Sequence, residues 1–310
     1  MSKRVLGMIV GALLAGVLLA LLLQRLEFTP PEDSTGQGAP SRVICMSPAV
    51  TEIVYALGQG DRVVGISQYA TYPPEALGKP ECGAFVNPNL ERILALRPDL
   101  VIVQGISQKV TEFCQDRNIR LLTLDLTDLD SVFVAIEQVG QALECQKEAE
   151  RLRAEMRGQL DAVARSVAGK QRIPVFIAAG RNMDSLRNLM TISKGSFLND
   201  VLELAGGRNI FGELAMSYPT ISKESLLERQ PEAIIELCGE GMISQSDKAE
   251  IMATWKTLSA LRAVRNGQVY AIGNTYALIP GPRVTILARD IADILHGPAQ
   301  RRRPFACASD

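Results

Sequence analysis

Histidine is almost absent from this chain of 310 residues, which contains a single one, His296. A nucleophile-based enzyme needs a base beside its serine or cysteine, most often a histidine. His296 lies at the end of the last predicted helix, where a cation suits the helix dipole. No phosphate-binding lysine loop, dinucleotide-type glycine loop or zinc-like cluster of histidine and carboxylate occurs. The sequence therefore predicts a protein that is not an enzyme and has no cofactor.

Cysteine pairs and basic runs of the kinds that mark other protein classes are also lacking. The six cysteines stand at positions 45, 82, 114, 145, 238 and 307 without any C-x-x-C spacing. This pattern indicates neither a zinc site nor a dense disulfide framework. One or two disulfides could still form if the compartment is oxidising. The net charge of −1 and the lack of a folded basic stripe exclude nucleic acid as the expected partner.

Aromatic residues are few: one Trp, six Tyr and eight Phe. Short apolar strands alternate with amphipathic helices in both halves of the chain. This alternation is typical of mostly parallel sheets covered by helices. The length suffices for two such α/β lobes with cores of their own. Because aromatic residues are few, those near the ends of predicted loops are candidates for binding.

The N-terminus begins with an apolar run, because Lys3 and Arg4 precede nineteen uncharged residues, Val5–Leu23. About 20 helical residues span a bilayer, whereas the cores of signal peptides usually run about 7–15 residues. The run ends without a small-residue cleavage site and without a cysteine for lipidation. We expect an uncleaved membrane anchor at 1–26, a Pro- and Gly-rich tether at 27–41 and an extracytoplasmic body, with a cleaved signal as the alternative.

A long amphipathic stretch covers 131–168, where apolar residues recur at steps of three, four or their sums. At about 1.5 Å per residue, one continuous helix of this length would reach roughly 50 Å, which exceeds the width of a small domain. The pattern predicts a bridging helix at 129–170 between an N-terminal lobe at 42–128 and a C-terminal lobe at 171–298. Residues 299–310 read as a tail.

Two segments on either side of this stretch resemble each other. Leu90–Val103 and Lys223–Glu236 each contain a short amphipathic helix, a proline, an acidic residue and an apolar strand. Glu91 and Glu224 each precede that proline by seven positions. The match predicts two similar lobes that face each other across a cleft, although short units of this kind also coincide by chance.

Several motifs resemble those of a known family: Ser47–Glu52, Tyr69–Pro74, Asn89–Ile102 and Gly281–Arg283. The segments resemble the substrate-binding proteins of ABC importers for cobalamin, ferric siderophores and haem, and the cobalamin binders in particular. The resemblance covers about 42–297. It implies two similar α/β lobes bridged by a single long helix, the helical-backbone type of metal-chelate receptor. The ligand cleft would lie between the lobes and change little in opening.

The resemblance also implies positions for ligand contacts. It places four aromatic residues at the cleft: Tyr69, Phe85, Tyr218 and Tyr276. Flat rings suit a macrocycle, but each ring can equally pack its own loop. Arg181 and Arg283 would bind polar groups of the ligand or serve as surface or capping residues. Phe85 and Tyr218 stand where the cobalamin binders have tryptophan, which leaves the ligand open.

Glu91 and Glu224 would, by the same resemblance, reach arginines on the two subunits of a homodimeric permease that works with an ATPase. The simpler interpretation is that an acidic residue in the first helical turn is favoured by the helix dipole. We expect an extracytoplasmic protein that delivers a corrinoid to this permease, with a ferric siderophore or haem as the alternative ligand. Alternatives from other classes are a metallocluster-handling enzyme, which would use Cys45 and Cys82, and a scaffold without ligand.

Overall fold

The structure, a computed structural model, describes residues 38–182, 185–238 and 245–298. The predicted anchor at 1–26 and tail at 299–310 lie outside the described residues. Within the described ranges, no helix combines the length and apolar character needed to cross a bilayer. The end of the predicted tether is bound to the first lobe, since Ser41 N donates to Asp99 Oδ2 at 2.8 Å.

The N-terminal lobe is a sheet of four parallel strands in the order β2-β1-β3-β4. Helices cover both faces, which is why the two inner strands, Val43–Cys45 and Leu100–Gln104, are buried and almost wholly apolar. Ser47 accepts a hydrogen bond from Val50 N at 3.2 Å and so caps the first helix, with Pro48 at its first position. The strands are β1 (Val43–Cys45), β2 (Val63–Ile66), β3 (Leu100–Gln104) and β4 (Arg120–Leu124), and the helices are α1 (Pro48–Ala56), α2 (Leu90–Ala95) and α3 (Gln108–Asp116).

The predicted single helix over 131–168 is wrong, because two helices, α4 (Leu129–Ala142) and α5 (Gln146–Val167), occupy this stretch. They run antiparallel: Glu137 pairs with Arg153 at 2.6 Å, and Phe133 lies under the Arg157 guanidinium. The connection turns through Glu144 in the left-handed region, with φ of 55°. No proline or glycine stands in that connection, so the periodic pattern conceals the reversal.

Gly140 explains how the two helices approach so closely. A Cβ at this position would lie 2.4 Å from the Cβ of Ala149, closer than any real contact of this kind. The start of α5 is also bound to the N-terminal lobe, since Arg62 Nη1 donates to the Leu143 carbonyl at 2.8 Å. From there α5 runs to the second lobe and packs against its last helix. A helical hairpin, of which α5 is the longer arm, thus connects the lobes.

The C-terminal lobe repeats the plan with four parallel strands in the order β10-β9-β5-β7. A short antiparallel ribbon, β6 with β8, lies beside them. The strands are β5 (Ile173–Ala178), β6 (Leu189–Met190), β7 (Gly207–Asn209), β8 (Thr220–Ile221), β9 (Ala233–Leu237) and β10 (Val269–Ile272). The helices are α6 (Phe197–Leu204), α7 (Lys223–Arg229), α8 (Gln245–Lys256), α9 (Arg262–Arg265) and α10 (Val284–His296).

One apolar core passes through both lobes. It joins Cys45 and Ile102 of the first sheet to Ile177 and Ile235 of the second through α4 and α5, with Ile136 among the connecting residues. Two further clusters cover the outer faces of the two sheets. The prediction of two similar α/β lobes bridged by a single long helix is therefore confirmed in α5, and only its bounds are wrong, because α4 is a separate helix packed against it.

The internal repeat is present in three dimensions. In the first lobe, Asn89 caps α2, and Arg97 adopts a left-handed conformation before the proline. In the second lobe, Ser222 caps α7, and Gln230 adopts a left-handed conformation before the proline. The φ angles of the two left-handed residues are 45° and 47°. Each proline then leads into a central strand of its sheet, β3 or β9. The two segments are equivalent units of similar lobes.

Candidate functional site

Two contacts join the lobes through residues that follow the carboxyl ends of strands. Arg283 of the second lobe pairs with Glu52 of the first at 2.6 Å. Phe197 N at the start of α6 donates to the Thr127 carbonyl beyond β4 at 2.8 Å. Open α/β sheets bind ligands at the carboxyl ends of their strands, so the loops at these strand ends, which border the predicted cleft, form the candidate site.

Exposed apolar side chains concentrate in these loops. Among the described residues, ten large apolar side chains are exposed, and eight of them lie in connections that follow the carboxyl end of a strand. Their grouping is typical of a binding surface, because isolated exposed apolar residues would be scattered. The eight, with their exposed fractions, are Tyr69 (61%), Tyr72 (40%), Leu77 (59%), Phe85 (40%), Val86 (78%), Ile106 (84%), Met216 (68%) and Tyr218 (38%).

Phe85 and Val86 form the tip of a tight turn in the first lobe. Ala84 and Asn87 exchange two backbone hydrogen bonds of 3.2 Å across the turn. Gly83 has φ of 83°, and a Cβ there would lie 2.6 Å from the Asn87 carbonyl oxygen, so the closure needs glycine. The turn therefore holds two apolar side chains exposed to solvent.

Tyr218 projects from a segment of the second lobe that is bound on both sides. Ser193 N donates to the Ser217 carbonyl at 2.9 Å, and Thr191 N donates to the Pro219 carbonyl at 2.9 Å. The Tyr218 side chain between these contacts is half-buried, and this burial raises the pKa of its phenol. The ring is thus a fixed, uncharged surface that can donate one hydrogen bond.

Tyr276 differs from the other predicted aromatic contacts because it is buried. Its hydroxyl donates to Asp290 Oδ2 at 2.5 Å, and burial together with this carboxylate raises the pKa of the phenol. The Arg283 guanidinium lies 5.5 Å from the centre of the ring. The structure therefore places Tyr276 behind the cleft surface rather than on it.

Arg181 is likewise engaged inside the protein. Its guanidinium pairs with Glu236 at 2.9 Å, and its side chain is only 2% exposed. Glu236 also accepts a hydrogen bond of 2.6 Å from Nε1 of Trp255, the single tryptophan of the chain. This network compensates the buried charge of Arg181 within the second lobe.

Arg283 reaches across the lobes instead of into the cleft. It donates to both carboxylate oxygens of Glu52, at 2.6 and 2.9 Å, and its guanidinium lies 3.9 Å from the centre of the Tyr72 ring. Burial raises the pKa of Glu52, and the neighbouring guanidinium partly offsets that rise. Of the six predicted ligand residues, the structure thus exposes Tyr69, Phe85 and Tyr218 at the loops and engages the other three, Tyr276, Arg181 and Arg283, in polar contacts within the protein.

Sequence reasoning did not assign five exposed members of the loop set to the ligand: Tyr72, Leu77, Val86, Ile106 and Met216. A usable signal was present at Ile106, which stands between Gly105 and Ser107 directly after β3. An isolated aliphatic residue is unexpected in a glycine- and serine-containing loop unless another molecule covers it.

Glu91 and Glu224 lie at matching positions in the first turns of α2 and α7, and both are exposed. Hydrogen bonds from its own backbone N–H and from Ser222 lower the pKa of Glu224. A surface depression of about 610 Å³ adjoins Glu91. A second depression of about 540 Å³ lies beside Tyr55 and Arg283 on the flank of the lobes. Of the exposed apolar set, only Tyr72 lines one of these depressions, so the cleft loops remain the candidate site.

No group of three or more His, Cys, Asp or Glu suitable for a metal ion occurs in the parts of the chain that the structure describes. The five cysteines in those parts are free thiols. Cys45 and Cys82, the pair named for a metallocluster, are both buried, and burial raises the pKa of Cys82 to about 11. His296 Nε2 lies 3.1 Å from the Gly206 carbonyl, which gives the single histidine a structural contact.

Comparison with known proteins places the chain in a family. A sequence model of the periplasmic binding proteins matches residues 43–276. The vitamin B12-binding protein of Pectobacterium atrosepticum is 30% identical over 264 residues, which cover 83% of this chain and 88% of that protein.

Solved structures show the same relationship. The periplasmic vitamin B12-binding protein of Vibrio cholerae superposes with a TM-score of 0.68 at 27% identity, covering 84% of this chain and 99% of that one. A possible iron-binding periplasmic solute-binding protein from Staphylococcus epidermidis superposes with a TM-score of 0.70 at 27% identity, covering 83% and 99%. The chain therefore belongs to the periplasmic binding protein family and is an extracytoplasmic substrate-binding protein of the ABC-importer class, not an enzyme.

Proposed function

We propose that the protein binds a corrinoid, such as cobalamin, in the cleft and delivers it to an ABC permease. The observation that carries this proposal is the exposed apolar surface contributed by both lobes. Phe85 and Ile106 represent the first lobe, and Met216 and Tyr218 the second. A corrinoid presents a broad, flat ring, and rigid aromatic side chains cover such a surface at little cost in conformational entropy.

The charge of the site favours the same ligand. The two arginines that the family resemblance put forward, Arg181 and Arg283, are both neutralised by buried carboxylates. A polyanionic ferric chelate would be matched by cations that face it, whereas a ligand of low net charge needs none. The paired arginines therefore support a corrinoid over an anionic siderophore.

Haem or another ferric chelate is the second candidate within the same class. The specific observation in its favour is Tyr69, whose exposed phenol lies in the loop after β2 and has the chemistry to ligate ferric iron. The similarity to the staphylococcal protein, described as possibly iron-binding, supports the same alternative.

A titration separates the candidates. The purified full-length chain in detergent is mixed with cyanocobalamin, haemin or a ferric hydroxamate, and binding is followed by absorbance and calorimetry. We expect saturable binding of cyanocobalamin alone. The proposed ligand would instead be haem if the protein bound haemin but not cyanocobalamin. In that case the Soret band of bound haemin should be shifted, and Tyr69→Phe should remove the shift.

We further propose that Glu91 and Glu224 bind the two subunits of a homodimeric permease that works with an ATPase. The two carboxylates occupy equivalent positions in similar lobes, which matches a two-fold symmetric partner. Exposed charges at such an interface contribute specificity and rate of encounter more than affinity.

We also propose that the N-terminal segment tethers the body to the outer face of the cytoplasmic membrane. The proposal depends on the nineteen uncharged residues Val5–Leu23, which no cleavage or lipidation signal follows. The full-length protein is expected to fractionate with membranes and to keep its N-terminus. A soluble mature protein that starts between residues 28 and 41 would show that the segment is a cleaved signal.

A further inference from the structure

Arg283 makes a buried ion pair between parts of the chain that are 231 positions apart. It lies just before α10 in the second lobe, and its partner Glu52 lies in α1 of the first. Two parallel N–H···O contacts of 2.6 and 2.9 Å form a fork, and the two side chains are only 14% and 2% exposed. Such bidentate pairs fix orientation as well as distance.

The remaining surfaces of this guanidinium are occupied as well. Tyr72 of the first lobe packs against it at 3.9 Å from the ring centre, and Tyr276 of the second lobe lies at 5.5 Å. Its Nη1 donates to Thr275 Oγ1 at 3.1 Å. Arg283 therefore has one defined position, held by residues of both lobes.

The contact with Tyr72 connects this pair to the candidate site. Tyr72 stands three positions after Tyr69 in the loop that follows β2. The start of that loop is bound within its own lobe, since Ala70 N donates to the Ser67 carbonyl at 3.0 Å. Its other side is held at Tyr72 by an arginine of the opposite lobe.

We infer that Arg283 is a positioning residue, which acts through Glu52 and Tyr72 to set the separation of the lobes and the placement of the Tyr69 loop. It does not contact the ligand. The expected effect of Arg283 on corrinoid binding rests on the proposed function. Its expected effect on the ligand-free cleft does not depend on that function. A cleft held in its binding conformation avoids the entropy cost of ordering loops when ligand arrives.

A purely stabilising role explains the arrangement less well. Replacing a buried ion pair by apolar residues of similar size is often neutral or stabilising, so such a pair is weak evidence for a role in stability. The geometry is more specific than stability requires, because one guanidinium joins two lobes and an aromatic residue of a cleft loop.

The test uses full-length protein in detergent and a matched control. Arg283→Lys keeps the charge but loses the fork and the stacked plane. Arg229→Lys is the control, because Arg229 pairs with Glu213 at 2.6 Å and lies 4.4 Å from the centre of the Phe211 ring, all inside the second lobe. The double variant Glu52→Gln with Arg283→Met removes both charges and covers the case in which the lysine variant folds poorly.

Three quantities are measured: cyanocobalamin affinity, hydrogen–deuterium exchange of the ligand-free protein, and the thermal midpoint. We expect Arg283→Lys and the double variant each to weaken binding at least tenfold and to speed exchange at residues 68–73. The control should change affinity and exchange at that loop by less than twofold, whatever its thermal midpoint.

Parent-like affinity and parent-like exchange in both Arg283 variants would overturn the inference, even if their thermal midpoints fall. If the parent does not bind cyanocobalamin but the variants still exchange faster at residues 68–73, the proposed ligand is wrong and the positioning role stands. A control that loses affinity as strongly as the Arg283 variants would also overturn the inference, because the effect would then be one of general destabilisation.

Discussion

Phe85 and Tyr218 are exposed by 40% and 38%, one from each lobe, and backbone hydrogen bonds of the flanking residues hold each of them in place. Truncating either ring removes apolar contact with a ligand but little contact with the protein. We expect Phe85→Ala and Tyr218→Ala each to weaken corrinoid binding by about 1–3 kcal/mol, with little change in thermal midpoint.

The measurement is an absorbance titration of each variant. Val134→Ala is the control, because Val134 is 50% exposed on α4 and lies away from the cleft loops. Parent-like affinity in both aromatic variants would show that the ligand or the cleft is wrongly assigned.

Buried thiols make stability depend on pH at the alkaline end. Burial raises the pKa of Cys82 and of Cys114 from 9.0 to about 11. Between these values the unfolded chain loses the thiol protons while the native protein keeps them, so the free energy of unfolding falls as pH rises. Urea denaturation between pH 8 and 11 should show this fall, and Cys114→Ala should reduce its slope. Parallel curves for parent and variant would contradict the prediction.

At the scale of elements, the α4–α5 connection contains a non-glycine residue in the left-handed region, Glu144 with φ of 55°. This conformation costs an ordinary residue roughly 1–2 kcal/mol, and β-branched residues tolerate it worst. We expect Glu144→Val to lower the free energy of unfolding by about 1–2 kcal/mol, whereas Glu144→Gly should be neutral or slightly stabilising. Chemical denaturation of the three proteins measures the difference, and equal losses for valine and glycine would contradict this explanation.

The equivalent helices α2 and α7 carry the proposed contacts with the permease. Reversing both charges, Glu91→Arg with Glu224→Arg, should abolish uptake in vesicles reconstituted with the permease and its ATPase. Ligand affinity should stay within about twofold, because a tenfold change would need about 1.4 kcal/mol and both residues lie on the outer helices. Undiminished uptake by the double variant would assign both carboxylates to helix stabilisation alone.

For the whole molecule, the decisive feature is the core that passes through both lobes. Residues of both sheets and of the α4–α5 hairpin belong to one apolar cluster. Neither lobe can expose its inner face without opening that cluster, so the lobes should unfold together. We expect one calorimetric transition whose enthalpy agrees with the van't Hoff value. Two separated transitions would show that the lobes are independent.

Much of the fold could be predicted from local patterns in the sequence. The apolar runs identify the strands, Ser47-Pro48 marks the start of α1, and the two segments around Glu91 and Glu224 reveal the repeated lobe. Such signals act over a few residues and depend on hydrogen bonding and periodicity along the chain. The positions of Phe85 and Tyr218 came from motif resemblance, and the structure exposes both at the loops.

Contacts between distant segments were decided only by the tertiary structure. Arg181 meets Glu236 across 55 positions and Arg283 meets Glu52 across 231, and no periodicity links residues so far apart. The reversal at Glu144 was hidden for a related reason: an apolar stripe shows which face of a helix is buried but not what covers it. Packing of α5 back onto α4 at Gly140 covers that face, and it turned a predicted rod into a hairpin. By themselves, the residues thus determined the elements and the two lobes, while packing between segments distant in sequence decided which charged side chains remain available to a ligand.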